Sequence, residues 1–592
     1  MKKVFQNYLG IFGRGAQLSL CLFHLGFSFY LISYSKPALA AFPKPLRTKQ
    51  GMVVSAHPLA SEAGLAMLVK GGNAIDAAVA TAFAISVVDP FSAGIGGGGF
   101  LLLHQAETGE TKALDFRERA PLAATKDMYL TEQGTVRPNA STKGYLAAGV
   151  PGTVAGLYEV HRQYGKLPWK DVVAPAIRLA KDGFIVGYDL RSRFPQFSQP
   201  RNNTTLINQA AREIFAPNGF ILPPGERLVQ RDLARTLQRI ARDPQSFYTG
   251  EIARAIANDM AKNGGLITLE DLKTYQTTWR TPLCGSFRVY QICSMPPPSS
   301  GGVHLLQILN IIGDTDLKSK GWHHPDSLHL LVEAMKIAYA DRAVHLGDPD
   351  FVDVPVAALI SHAYAARRRQ EISMQRARSA NEVKALDAQT LQRFSDRKES
   401  SDTSHLTVVD RQRNAVSLTF TINYAFGAGV VVPGTGILLN NEMDDFAIAP
   451  GVPNVFGLVG GEANAIAPRK TPLSSMSPTI VTEKGRFRLA VGAPGGSTII
   501  TTVLQILLNV LEYNMDVGAA VAAPRIHHQW LPDRLWVENF GLDALTLEEL
   551  RRRGHEIERR NSWGNANAIG VTPDNFLEAA ADPRGEGSPK GF

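Results

Sequence analysis

The chain has 592 residues, 44% hydrophobic and 20% charged, so it can bury a large core and exceeds what one simple layer arrangement holds. Its formal net charge is +8, and losing Lys2, Lys3, Arg14 and Lys36 with the first forty residues would leave +4. That balance describes a globular, soluble protein and gives no sign of a nucleic-acid partner.

Residues 1–40 differ from the rest. A basic start at Lys2, Lys3 and Arg14 leads into an apolar stretch over residues 18–32 and a small-residue exit, Ala38-Leu39-Ala40. This order reads as a secretory signal cut after Ala40, which places the protein in the periplasm or outside the cell. The competing reading is a membrane anchor, against which Ser28, Ser33, Tyr34 and the A-x-A site argue. No later apolar run reaches the ~20 residues that cross a bilayer, so no membrane association is expected once the signal is gone. Cys21 leaves with the signal. Cys284 and Cys293 flank a strand-like run, and a hairpin disulfide and two free thiols are both open. Neither cysteine sits in a nucleophile motif.

Residues 52–55 read as a strand, and residues 61–70 and 74–88 as helices. The glycine run over residues 94–99 follows a helix and enters the apolar Phe100-Leu101-Leu102-Leu103, the wrong order for a dinucleotide-binding turn. Close backbone packing is the better account of it. Helical spacing recurs over residues 154–164, 233–242 and 327–346. Residues 295–302, Met-Pro-Pro-Pro-Ser-Ser-Gly-Gly, form a stiff turn that presents two hydroxyls before a new helix. There is no internal repeat.

Over residues 365–402 charged and polar side chains crowd out apolar ones, so this segment is expected to be an exposed tail or linker. Strand-like runs follow at once, residues 405–409 and 415–422, joined by the polar turn 410–414. A hairpin centred near Gln412 places Thr403 opposite Thr421 and points Asn423 out from the same face.

The run Thr403-Ser404-His405-Leu406-Thr407-Val408-Val409, with residues 416–423 after it, resembles the processing-site signature of gamma-glutamyltransferases. Matching blocks occur in the family's order at residues 115–118, 149–152, 295–302, 347–351, 438–446, 472–479 and 495–497. The resemblance implies an α/β (α+β) N-terminal-nucleophile hydrolase fold, a four-layer αββα sandwich built from one precursor. It implies a large subunit of residues 41–402 and a small catalytic subunit of residues 403–592, held together as a heterodimer.

The chemistry of such a site is consistent with these residues. A threonine hydroxyl must hand its proton to a base as it attacks, and an α-amine with a reference pKa of about 7.7 to 8.0 is a suitable base. That amine exists only after the bond before Thr403 breaks, so Thr403 is expected to cut its own chain first. By resemblance, Thr421 orients the nucleophile and the backbone N–H groups of Gly495 and Gly496 form the oxyanion hole. Arg117 with Ser474 and Ser475 would take the substrate α-carboxylate, and Glu442, Asp445 and Asn423 its α-ammonium. The donors would be glutathione and other gamma-glutamyl compounds, the acceptors water, amino acids or peptides. No metal or organic cofactor is implied, and the adjacent pairs His323-His324 and His527-His528 read as structural.

Two positions depart from the family pattern. Arg413 stands where a glycine is usual in the hairpin turn, and Phe456, in a lid-like segment, where tyrosine is common. Two other readings compete. A related self-cleaving cephalosporin (glutaryl) acylase would share the fold but take another acyl group, against which Arg117, Asn423, Glu442 and Asp445 argue. A non-catalytic periplasmic amino-acid-binding protein would need the pocket without the nucleophile.

Overall fold

The computed structural model describes residues 42–192, 205–386, 402–449, 451–454 and 456–592. The signal segment expected over residues 1–40 lies outside these. Among the described residues, no helix is long and apolar enough to cross a membrane.

Two antiparallel sheets of seven strands form the centre. The first runs in the order Ser588–Gly591, Met52–Ser55, Ser404–Val409, Ala415–Thr421, Gly98–His104, Thr111–Asp115, Thr278–Arg280. The second runs Leu46–Thr48, Leu577–Ala581, Asn567–Val571, Arg486–Gly492, Thr479–Glu483, Tyr290–Ser294, Leu283–Phe287.

Side-chain alternation along each strand sorts the residues into layers. In the first sheet Val53, Leu101, Leu406, Val408 and Leu418 pack into a core with helices that include Pro58–Val69, Ala74–Val88 and Trp169–Asp182. The alternate residues Met52, Val54, Phe100, Leu102 and Val409 meet Ile480, Ala490, Ile569 and Leu577 of the second sheet. The outer face of that sheet, with Ile292, Val481, Leu489 and Val491, is covered by Gly301–Ile312, Pro325–His345 and Thr498–Leu511. Helix, sheet, sheet and helix are the four layers expected, each apolar face closed by the next.

The hairpin has the register that simple folding predicts. Ser404 pairs with Phe420 and Val409 with Ala415, which continues to Thr403 opposite Thr421. It sits between Met52–Ser55 and Gly98–His104, both from the part of the chain before residue 402. A break at the 402–403 bond therefore leaves two pieces that share one sheet through full ladders of hydrogen bonds. The glycine run supplies the close approach here. A Cβ on Gly97 would lie 1.9 Å from the Thr421 carbonyl oxygen, so only glycine admits this contact.

The expected helices appear at Thr153–Tyr164, Arg231–Arg242 and Pro325–His345, the last begun by the N1 proline with the His324 side chain as its cap. Cys284 and Cys293 are directly opposed on neighbouring strands and form a disulfide. The exposed tail expected over residues 365–402 is corrected for its first part. His362–Gln370 is a helix with Tyr364, Ala365 and Arg368 buried. Beyond it, the Asp341 carboxylate accepts the Leu386 amide and the Tyr364 hydroxyl, and Lys336 donates to the Arg378 carbonyl. The Arg378 guanidinium also donates to the buried Glu333 carboxylate, a pairing that composition alone does not reveal. Residues 387–401 lie outside the described set.

Candidate active site

Thr403 and Thr421 close one end of the hairpin, and alternation puts both on the face toward the second sheet. Ser417 and Thr407, of the same parity, bond the Val491 and Asn567 carbonyls across the layer. The Thr403 hydroxyl lies 2.8 Å from the Asp402 carbonyl oxygen and 3.2 Å from the Thr421 hydroxyl. Thr421 Oγ1 is itself 3.2 Å from the same carbonyl oxygen. The Asn423 amide donates to Thr421 Oγ1 at 2.8 Å, which occupies a lone pair and leaves the Thr421 proton for Asp402 O or Thr403 Oγ1. Asn423 can do this because it takes the left-handed conformation, with φ of 76°. The Asp402 carboxylate is held by the Ala425 amide. The peptide that would break is thus gripped on both sides.

Thr403 lines a small, narrow cavity. Arg117, Thr421, Asn423, Glu442, Asp445, Phe456, Ser474, Ser475 and Gly496 all line it. Of the residues expected at the site only Gly495 is absent from the lining, and it precedes Gly496 in the same turn. These residues come from widely separated parts of the chain.

Arg117 is fully buried and tightly held. Its Nε donates to the Pro472 carbonyl, and its two terminal nitrogens lie 2.7 Å from Glu442 and 2.5 Å from Asp445. Glu118 stands 4.0 Å away. Burial opposes the Arg117 charge, but Glu442, Asp445 and Glu118 together outweigh it and raise the guanidinium above its ordinary value. Burial drives the carboxyls the other way. Glu442 rises well above the usual range and Glu118 to about 7, with Arg117 opposing both shifts. Three acids around one cation leave an excess of acidic groups that a ligand ammonium would relieve and an apolar ligand would not.

Opposite this cluster, Ser474 Oγ accepts the Met476 amide, and Ser475 Oγ faces a second buried guanidinium, that of Arg342. The Pro-Pro-Pro-Ser-Ser turn fixes this wall. Ser299 donates to the Met476 carbonyl, and the Ser300 amide and hydroxyl both donate to the Ser474 carbonyl. Gly495 and Gly496 have φ of 137° and 54°, conformations for glycine, just before the helix Thr498–Leu511. Backbone amides at such a helix start carry partial positive charge suited to an oxyanion. The Phe456 ring covers Gly496, where a Cβ would meet it at 2.3 Å, and packs on the Tyr424 ring at 5.1 Å. The segment is tied to the acidic cluster by Asn454, which donates to Asp445.

Arg342, Asn454 and Tyr424 are site residues that pattern reasoning missed. Arg342 had a signal, since it and Asp341 are charges inside an apolar helix, Pro325–His345. Tyr424 donates to Asp444, beside the acids, and nothing in its sequence neighbourhood distinguishes it.

A family profile described as Gamma-glutamyltranspeptidase matches residues 60–592. The glutathione hydrolase proenzyme of Escherichia coli (strain K12) is 47% identical over 541 residues, 91% of each chain. Among solved structures, a cephalosporin acylase from Bacillus halodurans superposes with a TM-score of 0.80 at 29% identity, covering 94% of this chain and 99% of that one. The Helicobacter pylori gamma-glutamyltranspeptidase is 47% identical with a TM-score of 0.53, covering 55% of this chain and 93% of that one.

Proposed function

The chain belongs to the gamma-glutamyltranspeptidase family and is an enzyme of the glutathione hydrolase kind, and on that premise we propose that it cuts itself before Thr403 and then uses Thr403 as its nucleophile. The observation that carries this reading is the Thr403 hydroxyl 2.8 Å from its own preceding carbonyl oxygen, with Thr421 on the same oxygen, at the mouth of the charged cavity.

In the first reaction Thr403 Oγ adds to the Asp402 carbonyl carbon and the C–N bond breaks, its proton passing to the departing nitrogen. Water then hydrolyses the ester, freeing the Asp402 carboxylate and the Thr403 amine. In the second, that amine takes the hydroxyl proton as Oγ attacks the γ-carbonyl of glutathione or another gamma-glutamyl amide. The Gly495 and Gly496 amides would receive the oxyanion. The leaving amine takes the proton, and water or an acceptor amine resolves the gamma-glutamyl ester.

Donor specificity follows from charge. The α-ammonium would enter among Glu442, Asp445 and Asn423, and the α-carboxylate would face Ser474, Ser475 and the arginines. The acid cluster favours this donor over the glutaryl group of a cephalosporin acylase, which brings no ammonium. Release to the periplasm or medium is supported by the pattern of residues 1–40, and the Cys284–Cys293 disulfide suits an oxidising compartment.

Terminal sequencing of the purified protein should find two chains, one beginning at Ala41 and one at Thr403. Thr403→Ala should stay as one chain and lose at least a thousandfold in activity on gamma-glutamyl anilides, roughly the scale of losing a nucleophile. A processed, active T403A protein would defeat the proposal.

A further inference from the structure

The two glycines expected to receive the oxyanion carry no side chains to fix their turn. Gly495 and Gly496 have φ of 137° and 54°, so the direction of their amides depends on what packs around them. On the cavity side the Phe456 ring lies against Gly496. On the other side Thr498 Oγ1 donates to the Gly495 carbonyl at 2.8 Å and the Tyr339 hydroxyl to the Ser497 carbonyl at 2.5 Å.

Gln529, 3% exposed and outside the cavity lining, joins the two sides. Its Nε2 donates to the Phe456 carbonyl at 3.1 Å and to the Leu531 carbonyl at 3.3 Å. With that nitrogen spent on carbonyls, Gln529 Oε1 is the acceptor for His527 Nε2 at 2.9 Å. The His527 proton is therefore on Nε2, and Nδ1 accepts from the Thr501 hydroxyl at 2.8 Å. Burial lowers His527 to about 3, so the ring stays neutral and keeps this pattern. Thr501 stands near the start of the helix Thr498–Leu511, which follows the glycines directly. Phe456 ring, glycine turn, helix, His527, Gln529 and Phe456 carbonyl thus close into one circuit. Among the described residues, the Gln529 bond is the one hydrogen bond that ties residues 456–458 to anything outside their own loop.

We propose that Gln529 is a positioning residue for the oxyanion turn: by holding the Phe456 carbonyl it keeps the ring against Gly496 and the two glycine amides aimed at the substrate carbonyl. The inference rests on the reaction proposed above and gives its oxyanion turn a support from behind the cavity.

Gln529→Met keeps the side-chain length and removes both the amide donor and the acceptor for His527. On a gamma-glutamyl anilide its kcat should fall about tenfold, short of the hundredfold or more that losing an oxyanion donor outright costs, with KM within about twofold of the wild type. Self-cleavage is the internal control, because the Asp402 carbonyl oxygen lies by Thr421 and not by the glycines. Q529M should therefore be cut at the wild-type rate. F456A should lose a similar factor in kcat, and adding Q529M to it should cost little more, since the two act through one contact. An unchanged kcat overturns the inference, and so does a rise in KM alone, which would make Phe456 a cover for the substrate only. Equal slowing of self-cleavage and turnover overturns it as well, by marking Gln529 as structural. If Q529M does not fold, T501V removes the far end of the same chain and should show the same split, about threefold in kcat with normal self-cleavage. A wild type that turns over a glutaryl anilide in preference would sink the gamma-glutamyl reading, and the kcat comparison would then be read on that anilide.

Discussion

The two ends of the hairpin that carries Thr403 and Thr421 place a non-glycine residue in the same unusual backbone state for different ends. At the turn, Arg413 has φ of 72°, and its guanidinium bonds the Lys49 and Asn575 carbonyls at the surface. At the other end Asn423 has φ of 76°, is buried, donates its amide to Thr421 and its side chain to the Asn441 carbonyl. Such a conformation costs roughly 1–2 kcal/mol for a residue with a Cβ. At the turn that cost is merely tolerated, which answers the departure from glycine there. Beside Thr421 the same conformation aims a hydroxyl, so the teaching is that strain acquires meaning from what it points at.

Removing the hydroxyl that Asn423 orients should sharpen the contrast most. Thr421→Val keeps the shape but takes a donor from the Asp402 carbonyl, and processing should slow by about a hundredfold, the scale of losing one oxyanion-type donor. The ratio of uncut to cut chain on a denaturing gel over time measures it, and an unchanged rate would make Thr421 a bystander.

The middle of the hairpin offers a smaller effect set by pH. His405 is buried between Thr419 and Thr407, and burial lowers it to about 3. The folded protein therefore refuses a proton that the unfolded chain accepts near 6.5, so stability is full above that pH and falls as the pH drops toward 3. At pH 4 the loss from this group is on the order of 3 kcal/mol. Chemical unfolding of the wild type and H405N between pH 7 and 4 should give a shallower decline for the variant, and equal slopes would exclude His405 as the source.

The least effect belongs to the turn. Arg413→Gly relieves the backbone and loses two surface hydrogen bonds, so stability should move by less than about 1 kcal/mol. Its kcat/KM should stay within about twofold of the wild type. A large loss of activity would mean the turn communicates with Thr403 and would erase the distinction between the two ends.

Much of this was legible beforehand because it is local. The hairpin register follows from folding about Gln412, and the Ala74–Val88 helix from apolar spacing. The family resemblance named ten of the cavity's lining residues, Thr403 among them. The expectation for residues 365–386 fails because Arg378 pairs with the buried Glu333 and the Leu386 amide with the buried Asp341, both on a helix that precedes the segment. Phe456 was recognised as a missing hydroxyl, but its packing on Tyr424 and over Gly496 depends on two loops meeting.

By itself the sequence determined the strand pairing that sets Thr403 against Thr421, and the family, since each is written in neighbouring residues or in motifs of fixed order. Only the tertiary structure decided that Arg117 is bound to Glu442 and Asp445 while Arg342 is left to hydroxyls. Such pairing depends on burial and on distances between residues hundreds of positions apart, and no local pattern encodes which charge will find a partner.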